Sequence, residues 1–191
     1  MTQDQTTELK RVDARRNEQT LLDAAAELFV TSGVNVPVRD IAARAGVGTG
    51  TVYRHFPTRA ELVIAVYRHQ VEACVQAGPD LLASQPSPLA ALERWLLLFA
   101  DFLMTKHGLA TVLQSSDPGF APLHQYFLDR LLPVCASLLQ AAEAAGEVQP
   151  ELEPYELMRG IGNLCIGAET DPNYRPHRLI EVLVMGLRRP V

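Results

Sequence analysis

The run VRDIAARAGVGTGTVYRHFPTRAEL, Val38 to Leu62, decides the fold. Its opening predicts a short helix, Arg39 to Ala45, with Ile41, Ala42 and Ala45 on one face. Gly46 stands where a helix needs a left-handed closing residue, a conformation only glycine takes without steric cost. Val47 then drops back into the core. A second helix, about Thr49 to His55, buries Val52 and presents Thr49, Thr51, Tyr53 and Arg54, while Phe56 joins Val52 inside. Helix, tight glycine turn and helix make the helix-turn-helix pattern, whose second helix lies in the DNA major groove.

Outward from this run the signals stay helical, with no convincing strand. Pro57 stops the second helix, Thr58 caps the next, and Glu61 three residues on has the capping-box spacing, with Leu62 placed to pack back as a staple. That third helix continues through Val63, Val66, Tyr67 and Cys74 to about Ala77, where Gly78-Pro79 is expected to interrupt it. Upstream, residues 1–11 read as a disordered arm. A first helix is expected from Val12 or Arg15 to Thr31, with Leu21, Leu22, Ala25, Leu28 and Phe29 on one stripe and Gly33 ending it. The expected organisation is a helix-turn-helix domain over 12–57, a connector helix over 58–77 and a helical domain over 78–191.

The segment from Glu18 to Tyr67 closely resembles the DNA-binding domain of the TetR family of bacterial transcriptional regulators. IAARAGV, GTVYRHF and FPTRAEL carry the resemblance. Beyond Leu62 it is a likeness of general plan, because the family's larger domain has no shared motif. The resemblance implies an all-α protein: an N-terminal three-helix DNA-binding domain and a C-terminal helical domain for ligand binding and dimerisation. It also implies DNA contacts at Arg39, Thr49, Thr51, Tyr53, His55 and Arg59.

The residues themselves suit that role. Thr49, Gly50 and Thr51 lie where the helix meets base edges; threonine offers a hydroxyl and a methyl, and Gly50 lets the backbone come close. Tyr53 and His55 lie further along, where a phenol or imidazole reaches phosphate. Arg59 follows Thr58 at a helix start, which favours an anion. One departure stands out: Pro37-Val38 occupies the place where the family usually has a capping threonine or serine, so that backbone contact has no supplier here. Lys10, Arg11, Arg15 and Arg16 either extend the footprint or form a solvated helix start.

Further along, Ser87 and Pro88 open a strongly apolar helix, Leu89 to Lys106, expected at the centre of its domain. A short helix from Gly108 to Gln114, the SSDPG turn, and a helix from Phe120 to Ala145 containing Pro133 are expected next, the last ending at Gly146. The final helices are expected at Tyr155–Glu169 and Pro176–Arg189. Leu157, Ile161, Leu164 and Ala168 make a stripe in the first of these, interleaved with Gly160, Gly162 and Gly167. Glycine costs about 1 kcal/mol in a helix interior, so three suggest close approach by another helix. Leu179, Val182, Leu183, Met185 and Gly186 form a matching stripe in the last helix. These residues are the expected dimer interface; the alternative is that both helices cover their own domain's core. Trp95, Phe99, Phe102, Met104, His107, His124, Tyr126, Phe127 and Cys135 gather on the helices that surround ligand pockets in the family. They suit a small hydrophobic molecule or, read plainly, a core.

Composition fits this plan without proving it. The 191 residues are 48% hydrophobic and 20% charged, enough to bury a real core. The net charge of −5 divides into nine basic against eight acidic residues over 1–70 and eight against fourteen over 71–191. The case for DNA thus rests on the motif, with an acidic second domain that would repel phosphate. The N-terminus lacks a signal-peptide core, and the apolar stretch Trp95–Met104 is too short to span a bilayer. Three scattered cysteines fit reduced thiols in the cytoplasm. The histidines show no ligand spacing, so neither metal nor cofactor is expected.

The sequence therefore predicts a homodimeric regulator bound to double-stranded DNA at an approximately palindromic operator. A repressor released by a small ligand is the leading form; an activator or ligand-independent regulator stands beside it. A helical enzyme is a rival without a nucleophile arrangement, phosphate loop or paired carboxylates. A dimeric scaffold whose helix-turn-helix binds protein is another, separable by salt-sensitive binding to duplex DNA.

Overall fold

The computed structural model describes residues 3–113, 121–149, 152–168, 171 and 173–188, with side chains from residue 16 onward outside 105–122. Two compact units form, Met1–His69 and Gln70–Val191, dividing inside a helix that contributes to both.

In the first unit, α1 spans Gln3–Ser32, α2 Val38–Arg44 and α3 Thr49–His55, and the start of α4 (Arg59–Ser84) completes it. Leu21, Leu22, Ala25 and Phe29 of α1 pack with Ile41, Ala42, Val52, Phe56, Leu62, Val63 and Val66, all buried. Leu28 and Val47 are only half-buried. The turn after α2 is closed by Gly46 at φ +69°. Gly46 N–H donates to the Ala43 carbonyl (3.2 Å) and Val47 N–H to the Ala42 carbonyl (2.9 Å), the paired bonds of a Schellman ending. Arg44 donates from Nε and Nη2 to one oxygen, Glu27 Oε2 (2.9 and 2.6 Å), tying α2 to α1.

The expected disordered arm is instead helix, since α1 begins at Gln3. Polarity alone suggested disorder, but no glycine or proline precedes Gly33 and most of these residues are tolerant of helix. The interruption expected at Gly78-Pro79 is also absent, because α4 continues to Ser84 with Pro79 inside it. Gly78 is buried against Val134 of α6, so the glycine serves close packing rather than termination.

In the second unit, α5 spans Pro88–Leu113, α6 Ala121–Ala144, α7 Pro154–Leu164 and α8 Pro176–Leu187. Ser87 accepts from the Ala90 N–H (3.3 Å), capping α5 as its sequence predicts. α5 packs against α6, α7 and α8, and Leu89, Leu92, Trp95, Leu96, Phe99, Phe102 and Leu103 are all buried. Its central place follows from an apolar surface nearly all round. The Trp95 indole N–H donates to the Cys74 carbonyl (2.8 Å), satisfying a buried donor and pinning α5 to α4.

α5 does not stop at Lys106 but runs through Gly108 to Leu113; a single glycine costs about 1 kcal/mol, too little to end a well-packed helix. Pro133 likewise lies inside a continuous α6, which closes at Gly146 (φ +72°). α7 is shorter than expected, ending at Leu164, with Cys165 as C-cap. Gly167 then adopts φ +82° in the following turn, so neither it nor Ala168 belongs to the helix. Gln114, the SSDPG turn, Phe120, Glu169 and Arg189 lie outside the described residues. Extended pairing among the described residues is confined to one isolated bridge, Val148 with Arg188.

Candidate functional site

Two features concentrate chemistry, one in each unit. The first is the outer surface of α3. Val52 is 1% exposed and anchors the helix, while Thr49, Gly50, Tyr53, Arg54 and His55 face solvent and Thr51 is half-exposed. The Phe56 N–H donates to the Val52 carbonyl (2.8 Å) and its ring enters the core, which fixes the helix rotation and turns the polar residues outward. Gly50 has nothing within 4 Å of where a Cβ would stand, so its backbone lies open to close approach. The surface can place short hydroxyl side chains beside longer aromatic and cationic ones, as a groove with flanking phosphates requires.

Arg39 extends from α2 with its side chain 80% exposed, near Asp40 (3.4 Å). α2 starts from Pro37 with no side-chain cap, in line with the missing hydroxyl residue there. Arg59 is placed differently. Its guanidinium donates to the Val34 carbonyl and lies 5.0 Å over the Phe29 ring, and burial lowers its pKa. It braces the unit's core. Thr58 and Glu61 do form the capping box: the Thr58 N–H and hydroxyl reach Glu61 Oε2 (2.8 and 2.9 Å), and the Glu61 N–H returns to Thr58 Oγ1 (3.2 Å).

The second feature is a cavity of about 210 Å³ between α5, α6 and α7. Phe99, Leu103, Phe127, Leu128 and Met158 supply its apolar surface; His124, Tyr155, Arg159 and Asn163 supply polar groups, and Gly162 leaves it room. Of the residues expected there, Phe99, His124 and Phe127 line it. Trp95 and Phe102 sit behind as support: Trp95 stacks on Phe99 (5.6 Å) and Phe102 on Phe127 (5.9 Å). The His107 side chain lies outside the described residues. Tyr126 is drawn away to Glu72 (2.6 Å), and Cys135 is fully buried. Met104 lines a different hollow, beside Tyr174 and His177. Sequence reading missed the whole contribution of α7, whose polar side chains recur every fourth residue beside the apolar stripe.

That stripe also needs correction. Leu157 and Ile161 are 2% and 0% exposed within a single chain, so they belong to the unit's own core rather than to a partner surface. Leu164 is half-buried; Gly160 has open space where a Cβ would stand, and Gly162 faces Leu103. In α8 the outcome is the reverse. Leu179, Val182, Met185 and Gly186 are exposed and Leu183 half-exposed, opposite buried Ile180 and Val184.

A glycine-turned helix pair with a polar outward second helix, followed by a separate helical unit, defines a helix-turn-helix DNA-binding regulator. Residues 21–66 match the model of bacterial regulatory proteins of the tetR family, and residues 87–189 that of the C-terminal domain of SbtR-like transcriptional regulators. The chain belongs to the TetR family. The TetR transcriptional regulator SCO0520 from Streptomyces coelicolor is 31% identical with a TM-score of 0.78, the alignment covering 90% of this chain and 98% of that one. A TetR regulatory protein from Mycobacterium vanbaalenii is 32% identical, with a TM-score of 0.74 over 94% of this chain and 99% of that one. The transcriptional repressor KstR2 of Mycobacterium tuberculosis is 29% identical over 123 residues, 63% of this chain and 60% of the repressor's own length. Among the described residues no helix is long and apolar enough to cross a membrane.

Proposed function

We propose that this chain is a cytoplasmic homodimeric repressor that binds an approximately palindromic operator through α3 and leaves it when a small molecule fills the α5–α6–α7 cavity. The observation that carries the reading is the set of exposed polar residues Thr49, Tyr53 and His55 on a helix locked by Val52 and Phe56. Thr49, Gly50 and Thr51 meet base edges, and Arg39, Tyr53 and His55 hold phosphate. Arg59 contributes at most from the start of α4, since its guanidinium already braces Val34 and Phe29. The exposed stripe on α8 supports self-association, and α4, shared by both units, is the continuous element through which ligand state reaches α3.

A regulator is favoured over an enzyme because the described polar groups lining the cavity include no nucleophile with an adjacent base. Selecting bound fragments from genomic DNA tests the reading, followed by titration of the complex with salt. An inverted-repeat site whose affinity falls steeply with ionic strength is expected; binding no tighter to the selected site than to random duplex would overturn it.

A further inference from the structure

We infer that the effector is a small carboxylate, an aromatic or short-chain acid whose charged head is held by Arg159 and whose apolar body lies against Phe99 and Phe127. This rests on the reading of the α5–α6–α7 cavity as the effector site.

Size sets the first limit. A dry cavity of ~150 Å³ takes one benzene, so about 210 Å³ accommodates one substituted ring or a short acyl chain. Phe127 stacks with Phe99 at 5.8 Å and with His124 at 6.1 Å, offering flat apolar surface to such a body. Charge sets the second. Tyr155, Arg159 and Asn163 fall at i, i+4 and i+8 on α7, one row along a single helix face, and all three line the cavity. Its described lining includes no aspartate or glutamate.

The described partner of the Arg159 guanidinium is the Tyr155 hydroxyl at 3.5 Å, and no described carboxylate pairs with it. Glu156, the acid nearest along α7, is turned to the Glu153 N–H (3.2 Å) at the helix start. The contrast with Arg130 is direct, since that guanidinium is closed on Glu72 at 2.7 and 2.5 Å. An arginine with its fork uncommitted at the edge of an apolar cavity matches a carboxylate with two parallel hydrogen bonds.

The test is calorimetric titration of the full chain with benzoate, phenylacetate and hexanoate, each against its primary amide. At least one acid should bind about tenfold or more tightly than its amide, the scale of a charge-assisted hydrogen bond. Arg159→Gln should remove that preference while leaving amide binding within about twofold. Arg159 is exposed, so its loss should leave the far-ultraviolet circular dichroism unchanged. Acids and amides binding equally well, or a preference that survives Arg159→Gln, overturns the carboxylate inference and leaves the cavity reading standing. No binding by any acid or amide overturns both.

Discussion

Gly78 of α4 and Val134 of α6 meet so closely that a Cβ built on the glycine would overlap Val134 Cγ1. Valine is stiff at χ1 and cannot simply swing aside. Gly78→Ala would gain about 1 kcal/mol of helix propensity against an overpacking cost of typically ~1–3 kcal/mol. The substitution should therefore lower stability despite strengthening the helix. Gly78→Ala with Val134→Ala should recover much of the loss. Urea unfolding of the three proteins checks it, and a more stable single variant would contradict the packing.

The exposed stripe of α8 yields a second prediction. Val182 and Met185 are 53% and 57% exposed in the single chain, on the side away from buried Ile180 and Val184. Val182→Glu with Met185→Glu should leave the fold intact and abolish the dimer, because the proposed interface would bury unpaired charge. Sedimentation should show dimeric wild type and monomeric variant at micromolar concentration. A monomeric wild type would refute the interface.

What the sequence made legible was local. Gly46, Thr58 with Glu61, Ser87 and Gly146 act within a few residues of themselves, and each does in the fold what its position promised. Gly78, Pro79 and Gly108 misled because a single breaker does not by itself end a helix, and all three lie inside continuous helices, whereas Pro133 lies within α6 as expected. The stripe Leu157–Ile161 was ambiguous for another reason. An apolar face looks the same whether it meets its own core or a second chain. Arg159 escaped notice because it is one of many exposed arginines until α7 is set against α5 and α6. Of the expected pocket residues on α5, Phe99 lines the cavity while Trp95 and Phe102 stand behind it, because successive aromatics on one helix alternate between lining and support.

The cysteines offer a pH-dependent test. Burial, chiefly, pushes the thiols of Cys74 and Cys135 up to about 12 and that of Cys165 to about 11. At pH 8 all three are therefore held as thiols, and only thiolate attacks a disulfide reagent. The native protein should react slowly with Ellman's reagent at pH 8 and give three thiols in guanidinium. Raising the pH to 9 should quicken the native reaction about tenfold, since thiolate far below its pKa rises tenfold per pH unit, against about threefold for a free thiol of pKa ~8.5, while the native rate stays slow in absolute terms. A fast native thiol would contradict the burial.

Glu72 joins α4 to α6 by accepting from Arg130 and from the Tyr126 hydroxyl at 2.6 Å. Hydrogen bonding from Arg130 is the largest influence on its carboxyl and holds the pKa below the ordinary 4.5, against an opposing effect of burial. A depressed native pKa contributes stability that is present above the ordinary value and lost as pH falls through the depressed one. Wild type should thus exceed Glu72→Gln at pH 7, by about one to three degrees in Tm for a solvent-accessible pair. The two should converge as the pH falls well below 4.5. A gap that persists in acid would assign the effect to packing instead of charge.

The final prediction separates two contacts on α3. Tyr53 is 52% exposed, and Thr51 lies half-exposed two residues before it. A phenol on phosphate carries position without sequence, so Tyr53→Ala should weaken binding to operator and to random duplex alike. Thr51→Ala removes a hydroxyl and a methyl from the base edges, costing about 1–3 kcal/mol of discrimination if it meets one pair well. It should relax preference at one or two operator positions while binding to random duplex stays near wild type. Neither side chain is part of the buried core formed by Val52 and Phe56, so both variants should fold normally. Anisotropy titrations against single-base operator variants make the comparison. Unchanged operator affinity in both proteins, with native circular dichroism, would remove α3 from the DNA-binding face.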